Sequence, residues 1–244
     1  MPGFDSVEWL IVDDGSRDST VQVARAHGVD HVVSLRQNRG LARAFAAGGD
    51  ACVRLGADVI VNTEADAQYD AADIPALVAP LLAGHADIVI VDRQPGTLAH
   101  FSPVKRVLQG LGSRVVRWLS ATNVPDAISG FRAFTREAAL RINVVTEFSY
   151  TLESIIQAGH IRMSIAHIPI RARETKRQSR LFRSMPAYIL HSLRTLASVV
   201  LMYRPLRVFA AFALAFATVG VGVGGRFLYF FASGDGAGPS RPPT

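Results

Sequence analysis

Acidic side chains stand where short apolar stretches end, and two of them have a spacing suited to metal binding. Glu64 and Asp66 are two residues apart, and in an extended chain such side chains point to the same side. Two carboxylates on one side can share a hard divalent cation such as Mg²⁺ or Mn²⁺, which also takes diphosphate oxygens. Gln68 lies on that side if the extension continues, so the three residues form a candidate metal site. A solvated acidic loop is the alternative.

A second acidic segment follows an earlier apolar stretch. Asp13 and Asp14 are adjacent and are followed by Gly15 and Ser16. Adjacent carboxylates face different directions, so one can reach a ligand while the other caps the turn. An ordinary Asp/Gly/Ser turn would have the same letters.

A third candidate site combines a basic helix with a glycine-containing segment. Residues 103–120 read as a basic amphipathic helix that carries Arg114 and Arg117 and leads to the segment DAISGFR. The Ser129 hydroxyl and the Arg132 guanidinium flank Gly-Phe and could hold a phosphate, since arginine makes bidentate contacts with phosphate oxygens. A helix face in water and a glycine turn are the alternative.

Much of the positive charge of the chain lies in one short segment. The formal net charge is +6, and six basic residues crowd into positions 171–183, opposed only by Glu174. Such a cluster suits an anionic membrane leaflet or a phosphate headgroup. Neither interleaved aromatic residues nor an RNA-binding signature accompanies it, so we expect no nucleic-acid partner. The six residues are Arg171, Arg173, Lys176, Arg177, Arg180 and Arg183.

The elements that must position these side chains alternate between strands and helices. The predicted strands are 7–12, 31–35, 58–62 and 87–91, and the predicted helices between them are 18–27, 40–55 and 73–83. This alternation predicts an α/β domain with a mostly parallel sheet and helices on both faces. In such sheets ligands bind beyond the carboxyl ends of the strands, where both acidic segments stand.

An apolar run near the C-terminus predicts a membrane helix. Residues 208–225 hold no charged side chain, and Arg207 and Arg226 flank them. The run is about long enough to cross a bilayer, although a buried core helix would also be apolar. The predicted organisation is a catalytic domain (1–182), an interfacial amphipathic helix (183–204), a transmembrane helix (205–231) and a disordered tail (232–244).

The N-terminus predicts where the catalytic domain lies. Residues 1–8 contain no basic region followed by an apolar stretch, so we expect no signal peptide. The catalytic domain is therefore expected on the cytoplasmic side of the membrane.

Five segments in order carry a resemblance to a known family. They are VDDGS, QNRGLARA, EADAQY, DAISGFRAF and IPIRARETKRQSRL. Together they resemble the family 2 glycosyltransferases of GT-A fold, and most closely the polyprenyl-phosphate glycosyltransferases of the dolichyl-phosphate mannose synthase group. The resemblance covers roughly residues 7–231. It implies a metal-assisted, inverting transfer of a sugar from a UDP- or GDP-linked donor to a polyprenyl phosphate at the membrane.

The resemblance also implies roles for individual residues. The expected nucleotide-sugar-binding residues are Asp13, Asp14, Asn38, Gly40, Glu64 and Asp66. The expected metal ligands are Glu64, Asp66 and Gln68. The expected acceptor-phosphate residues are Arg114, Arg117, Ser129, Arg132, Arg173, Lys176 and Arg177. Asp66 and Arg132 are expected to be catalytic, as is Asp126, which would be the general base if the acceptor were a sugar hydroxyl.

Three departures from the family pattern leave alternatives open. The metal motif begins with Glu64 where the family has aspartate, the strand that precedes VDDGS in the family is missing, and the second membrane helix after GRFLYFF is missing. We therefore expect a chain shortened at both ends. A glycosyltransferase that acts on a glycan hydroxyl and an inactive membrane-bound remnant are the two alternative functions.

Overall fold

The computed structural model describes residues 3–65, 68–93, 103–144, 149–170 and 185–233. The chain divides into two compact units, residues 1–197 and residues 198–244. The first unit contains the alternating strands and helices that the sequence predicts, and the second contains the long apolar helix.

Every strand and helix predicted from the sequence is present, with boundaries that differ by a few residues. The strands are β1 (Leu10–Asp13), β2 (His31–Ser34), β3 (Val59–Asn62), β4 (Ile88–Asp92), β5 (Arg132–Thr135) and β6 (Ile165–Pro169). The helices are α1 (Thr20–Ala26), α2 (Leu41–Arg54), α3 (Ile74–Leu82), α4 (Pro103–Ser120), α5 (Arg136–Arg141), α6 (Tyr150–His160), α7 (Met185–Tyr203) and α8 (Pro205–Ala232). A short 3₁₀ helix, Ala71–Asp73, precedes α3.

The strands form a two-stranded sheet of β1 and β2 and a four-stranded sheet in the order β3-β5-β4-β6. Their pairing is only partly parallel, which corrects the predicted mostly parallel sheet. β1 pairs with β2 in parallel, and β4 pairs with β6 in parallel. β5, however, lies between β3 and β4 and is antiparallel to both. The start of β5 therefore lies at the edge where β3 and β4 end. This reversal brings the segment before β5 to the ligand-binding edge of the sheet.

β4 forms the centre of the core because both of its faces are covered. Its residues 88–91 are β-branched and at most 1% exposed, as expected for a strand buried on both sides. Val89 and Val91 pack with Leu77 and Leu81 of α3. Ile88 and Ile90 alternate with them and so point to the opposite face.

Local capping joins β5 directly to α5. The Thr135 hydroxyl accepts a hydrogen bond from the Ala138 amide at 3.2 Å, so a helix begins where the strand ends. The Arg136 guanidinium also donates to the Ala57 carbonyl at 3.1 Å. These contacts fix the far end of β5 beside the start of β3.

α8 is long and apolar enough to cross a membrane. It has 28 residues, and its most apolar window of 18 residues has a mean hydropathy of 2.0 and no buried residue. A helix of that length spans about 42 Å, compared with a bilayer hydrocarbon core of about 30 Å. Length and composition therefore agree with the predicted transmembrane helix.

A glycine sets how closely α4 and α6 pack. A Cβ atom added to Gly159 of α6 would lie 2.1 Å from the carbonyl oxygen of Ser120, the last residue of α4. We expect Gly159→Ala to push the helices apart and to lower the free energy of unfolding by about 1–3 kcal/mol, measured by denaturant or thermal unfolding.

The control is a glycine in a helix with open space around it. A Cβ at Gly49 of α2 meets no atom within 4 Å. Gly49→Ala should therefore raise the free energy of unfolding by up to about 1 kcal/mol through the higher helix propensity of alanine. Equal effects of the two substitutions would contradict the close contact at Gly159.

Candidate active site

The turn after β1 fixes both of its aspartates. The Asp13 carboxylate accepts a hydrogen bond from the Ser16 amide at 2.9 Å, and its hydrogen bonds with Ser16 lower the pKa of Asp13. Gly15 has a φ of +75°, and a Cβ there would lie 2.7 Å from the Asn38 amide nitrogen. The turn therefore requires glycine and lies directly against the backbone of the QNRG segment.

Asp14 holds the segment that leads into α2. Its two carboxylate oxygens accept hydrogen bonds from the backbone amides of Arg39 at 2.7 Å and Gly40 at 2.9 Å. Asn38 and Gly40, both predicted to lie against the donor, are thus placed beside Asp14. A carboxylate has about four lone-pair sites, so these two bonds leave Asp14 able to accept from a ligand as well.

Glu64 lies in a cradle formed by three neighbours at the sheet edge. Its Oε1 atom accepts a hydrogen bond from the Tyr150 hydroxyl at 3.4 Å. The Asn62 side-chain amide donates to the Gly130 carbonyl at 2.8 Å and to the Tyr150 hydroxyl at 3.3 Å. A Cβ at Gly130 would lie 2.4 Å from Glu64 Oε1, so the carboxylate occupies the space that the missing side chain leaves.

Tyr150 is suited to orient this carboxylate. Burial and the neighbouring Glu64 charge raise the pKa of Tyr150 to about 12, so the hydroxyl stays protonated and able to donate. Its ring stacks on Phe45 of α2 with the centroids 4.3 Å apart. Phe45 therefore holds the ring of Tyr150, and hydrogen bonds with Asn62 and Glu64 hold its hydroxyl.

Glu64 and Tyr150 line a cavity with the start of α2. The cavity has a volume of about 210 Å³, which is below the 300–1,000 Å³ typical of a pocket that encloses a whole small-molecule ligand. It can hold only part of a nucleotide-sugar. Its lining residues are Leu41, Ala42, Glu64, Ile128, Ser149, Tyr150 and Thr151. Leu41 is the first residue of α2 and follows Gly40, whose amide donates a hydrogen bond to Asp14. The Asp14 site and the Glu64 site therefore both adjoin the N-terminal end of α2.

Asp126, the predicted general base for a hydroxyl acceptor, is paired with an arginine at the end of β4, and its role stays a prediction. Arg93 Nε lies 2.7 Å from one Asp126 oxygen and Arg93 Nη2 lies 3.1 Å from the other. Burial alone would lower the pKa of Arg93, but the hydrogen bonds and charge of Asp126 outweigh burial and raise it. Asp126 is 2% exposed, so a substrate hydroxyl has no access to it in this arrangement.

Arg132 is buried and its guanidinium donates to oxygen atoms of the protein, while its predicted catalytic and phosphate-binding roles stay predictions. Its Nε donates to the Ser129 carbonyl at 2.7 Å, and its Nη2 donates to the Ala127 carbonyl at 2.8 Å. Its Nη1 donates to the Thr151 carbonyl and the Ser154 hydroxyl, both at 2.8 Å. Burial lowers the pKa of Arg132 to about 10, which leaves it charged at neutral pH.

The predicted phosphate contact of Ser129 also stays a prediction. Ser129 and Arg132 are both 0% exposed, so neither can reach an acceptor phosphate in this structure. The Ser129 hydroxyl instead lies 3.3 Å from the hydroxyl of Tyr69.

The donor chemistry of the predicted metal site fits a divalent cation. The Glu64 carboxylate and the side-chain amide of Gln68, which is 8% exposed, both offer hard oxygen atoms. Asp66 lies outside the described residues. Among the residues that the structure describes, no group of three or more His, Cys, Asp or Glu side chains is close enough to hold a metal. The ligand set of Glu64, Asp66 and Gln68 therefore stays a prediction.

The remaining predicted phosphate contacts divide into two groups. Arg114 and Arg117 lie on α4, where Arg114 is exposed and Arg117 is half-buried. Arg173, Lys176 and Arg177 lie outside the described residues. All five stay predictions.

Sequence reasoning missed Asn62, Tyr150 and Arg93. Asn62 and Arg93 stand at the carboxyl ends of β3 and β4, so their position at strand ends could have indicated them. Tyr150 gave no such signal, because its place beside Glu64 depends on how α6 packs.

Comparison with known proteins places the chain among glycosyltransferases. Residues 3–142 match the profile of the family described as glycosyl transferase family 2. An uncharacterized glycosyltransferase of Mycobacterium tuberculosis is 37% identical over 155 residues, which are 62% of this chain and 66% of the relative. The polyprenol monophosphomannose synthase of Mycolicibacterium smegmatis is 29% identical over 175 residues, which are 67% of this chain and 66% of the relative. The chain thus spans about two thirds of each relative.

A solved structure supports the predicted GT-A fold. Glucosyl-3-phosphoglycerate synthase from M. tuberculosis, in complex with Mn²⁺, uridine diphosphate and glucosyl-3-phosphoglycerate, superposes with a TM-score of 0.60. The alignment covers 79% of this chain and 67% of that one at 22% identity. The predicted α/β fold of GT-A type is confirmed.

Gly130→Ala should displace the Glu64 carboxylate without unfolding the domain. The atoms that a Cβ would meet are Glu64 Oε1 and the Tyr150 hydroxyl at 2.8 Å, and the first is the end of a flexible side chain. We expect the Mn²⁺ concentration for half-maximal activity to rise by about 10- to 100-fold with little change in melting temperature. Gly49→Ala is the control, and an unchanged Mn²⁺ requirement in Gly130→Ala would contradict the cradle.

Arg132→Lys should destabilise the domain. Lysine cannot reach all four of the acceptors of Arg132, so buried carbonyl oxygens would lose their partners. We expect a loss of roughly 3 kcal/mol or more in thermal unfolding. Arg141→Lys, on the exposed surface of α5, is the matched control and should change little. If Arg132→Lys kept full stability and only weakened acceptor binding, the result would support the phosphate-binding role instead.

Proposed function

The chain belongs to glycosyl transferase family 2, and we propose that it transfers a sugar from a nucleotide-diphosphate sugar to a polyprenyl phosphate at a membrane. The proposed reaction is assisted by a divalent cation and inverts the anomeric configuration. The position of Glu64 carries the proposal, because its oriented carboxylate lines a cavity at the carboxyl end of β3.

The relatives support the choice of donor and acceptor. The M. smegmatis relative is named for sugar transfer to a polyprenol monophosphate, and the M. tuberculosis structure holds Mn²⁺ and a uridine nucleotide. A donor linked to UDP or GDP and an acceptor that is a lipid phosphate are therefore the proposed substrates.

Glu64, Asp66 and Gln68 are the proposed residues that hold the cation. Mg²⁺ or Mn²⁺ in that place would neutralise the negative charge that develops on the leaving diphosphate. Tyr150 orients Glu64 by donating a hydrogen bond to it. Asp13 and Asp14 shape the neighbouring turn, and Asp14 offers remaining acceptor capacity to the base or ribose of the donor.

The acceptor needs no strong general base. A phosphate monoester carries negative charge near neutral pH, so its oxygen can attack the anomeric carbon directly from the face opposite the leaving group. The burial of Asp126 in its pair with Arg93 is compatible with this acceptor and argues against a glycan hydroxyl. The exposed Arg114 and neighbouring Arg117, together with Arg173, Lys176 and Arg177, are the proposed phosphate contacts.

The dimensions of α8 support attachment to the membrane. Arg207 and Arg226 are the charged residues of this helix, and they are 19 positions apart. At 1.5 Å per residue they are separated by about 28 Å, close to the thickness of the hydrocarbon core. We propose that α8 spans the bilayer, that α7 lies at its surface and that the catalytic unit faces the cytoplasm.

A lipid-product assay tests the function. The purified full chain in detergent is incubated with Mn²⁺, polyprenyl phosphate and radiolabelled UDP- or GDP-sugars, and the extracted lipids are separated by thin-layer chromatography. We expect a labelled lipid that disappears when EDTA is added. Label that appears only in an added glycan acceptor would reject polyprenyl phosphate as the acceptor. The absence of a labelled product with every donor would reject the activity itself.

Glu64→Gln tests the residue that carries the proposal. Removing one charged oxygen at the cation site should lower kcat by ~100-fold or more. Glu137→Gln makes the same chemical change on the exposed surface of α5 and should leave kcat near the wild-type value. Equal activity of the two variants would show that the Glu64 carboxylate has no role in catalysis.

A further inference from the structure

Two hydroxyl side chains lie side by side in the wall of the cavity. The Ser149 and Thr151 hydroxyl oxygens are 2.7 Å apart, and both residues line the same cavity as Glu64. Serine at the N-cap of a helix usually accepts a hydrogen bond from a backbone amide of that helix. Ser149 occupies the N-cap of α6, yet its side chain does not cap the described residues of that helix. We call these two residues the hydroxyl pair.

The hydroxyl pair keeps hydrogen-bonding capacity for a ligand. In the described part of the chain, each of the two hydroxyls has the other as its only hydrogen-bond partner. When one hydroxyl donates to the other, the second keeps its own hydrogen, and both oxygens keep a lone pair. A sugar hydroxyl also donates and accepts, so the pair offers it both kinds of partner.

The backbone around the hydroxyl pair is held in place. Thr151 is 6% exposed, and its carbonyl accepts a hydrogen bond from Arg132 at 2.8 Å. Gln157 of α6 accepts from the Asn143 amide at 2.9 Å and donates to the Asn143 carbonyl at 2.6 Å. The start of α6 is therefore already ordered, and a ligand of the pair loses little affinity in ordering it.

The remaining lining of the cavity matches a pyranose ring near the cation. Leu41, Ala42 and Ile128 add apolar surface beside the oxygen atoms of the pair and of Glu64. A pyranose has apolar C–H faces and a polar rim of hydroxyl groups, so it uses both kinds of surface. In the proposed function the cation at Glu64 holds the diphosphate of the donor. The sugar is bonded directly to that diphosphate and must therefore lie beside Glu64.

The volume of the cavity limits the size of the sugar. About 210 Å³ is the space of roughly seven liquid waters, at about 30 Å³ each. On this scale a hexose displaces roughly six waters, and an N-acetylhexosamine displaces roughly eight or nine. The cavity therefore has room for a hexose but not for an added acetamido group.

We propose that the hydroxyl pair selects the donor sugar by binding one of its hydroxyl groups, and that this sugar is a hexose without an N-acetyl group. The inference rests on the proposed function, because it takes the cation at Glu64 as the anchor of the donor. It adds the class of sugar and two residues that determine it.

Removal of one hydroxyl from the protein and one from the sugar tests the contact. Donor affinity of the full chain in detergent is measured by isothermal titration calorimetry with Mn²⁺. The donors are UDP-glucose, GDP-mannose and the monodeoxy analogues of whichever binds. Thr151→Val should weaken binding of the parent donor by about 10-fold. The variant should bind the analogue that lacks the contacted hydroxyl as tightly as the wild type does, because that contact is already lost.

A second pair of hydroxyls supplies the matched control. The Ser120 and Thr122 hydroxyl oxygens lie 2.6 Å apart at the end of α4, with the same spacing in the sequence. In the described part of the chain neither residue lines the cavity, so Thr122→Val should leave the affinity for each donor unchanged. If Thr151→Val weakened the parent donor and all its deoxy analogues by the same factor, the proposed contact would be wrong.

The acetamido group tests the size limit. The wild-type chain should bind the parent donor at least about 10-fold more tightly than its 2-acetamido-2-deoxy analogue. Ile128→Ala removes part of the cavity wall and should bring this ratio close to one. Ile161→Ala makes the same change at an exposed isoleucine after α6 and should preserve the ratio. Equal affinity of the wild type for the two donors would overturn the size limit.

The readout separates this inference from the proposed function, because calorimetry needs no acceptor. Selective binding of a hexose donor without a labelled lipid product would overturn the proposed acceptor and leave the inference standing. A labelled lipid product together with unchanged donor selectivity in Thr151→Val would overturn the inference alone. A chain that binds none of the donors would overturn both.

Discussion

The buried guanidinium of Arg132 is the interaction on which the rest of the site depends. Its hydrogen bonds to the carbonyls of Ala127 and Ser129 hold the loop before β5, and its bonds to Thr151 and Ser154 hold the first turns of α6. The loop and the helix are thereby fixed side by side. That placement brings Gly130 and Tyr150 together, and the Glu64 carboxylate lies between them.

Two buried arginines at this sheet edge have different kinds of hydrogen-bond partner. Arg93 forms a bidentate pair with Asp126, whereas the hydrogen bonds of Arg132 go to carbonyl and hydroxyl oxygens. A buried charge is costly unless its hydrogen bonds are satisfied, so each arginine tolerates few other geometries. The same groups that resemble acid, base and phosphate contacts in the sequence therefore act as the rigid support for a carboxylate.

The sequence predicts the elements well because their signals are local. The β-branched run 87–91 and the amphipathic period of 103–120 are each recognisable within a single segment. The antiparallel course of β5 was not predictable in this way, because it depends on pairing with β3 and β4 across long sequence separations. The burial of Asp126, Ser129 and Arg132 was not predictable for a related reason. Residue type suggested phosphate chemistry, but burial, which only tertiary packing determines, removed these groups from the surface.

α4 supports the cavity through two of its small residues. A Cβ at Gly112 would lie 3.6 Å from Ile128, which lines the cavity with Glu64, and the Ser113 hydroxyl accepts a hydrogen bond from the Ala127 amide at 3.3 Å. The small residues Gly112 and Ser113 therefore determine how closely α4 packs against the residues that line the cavity.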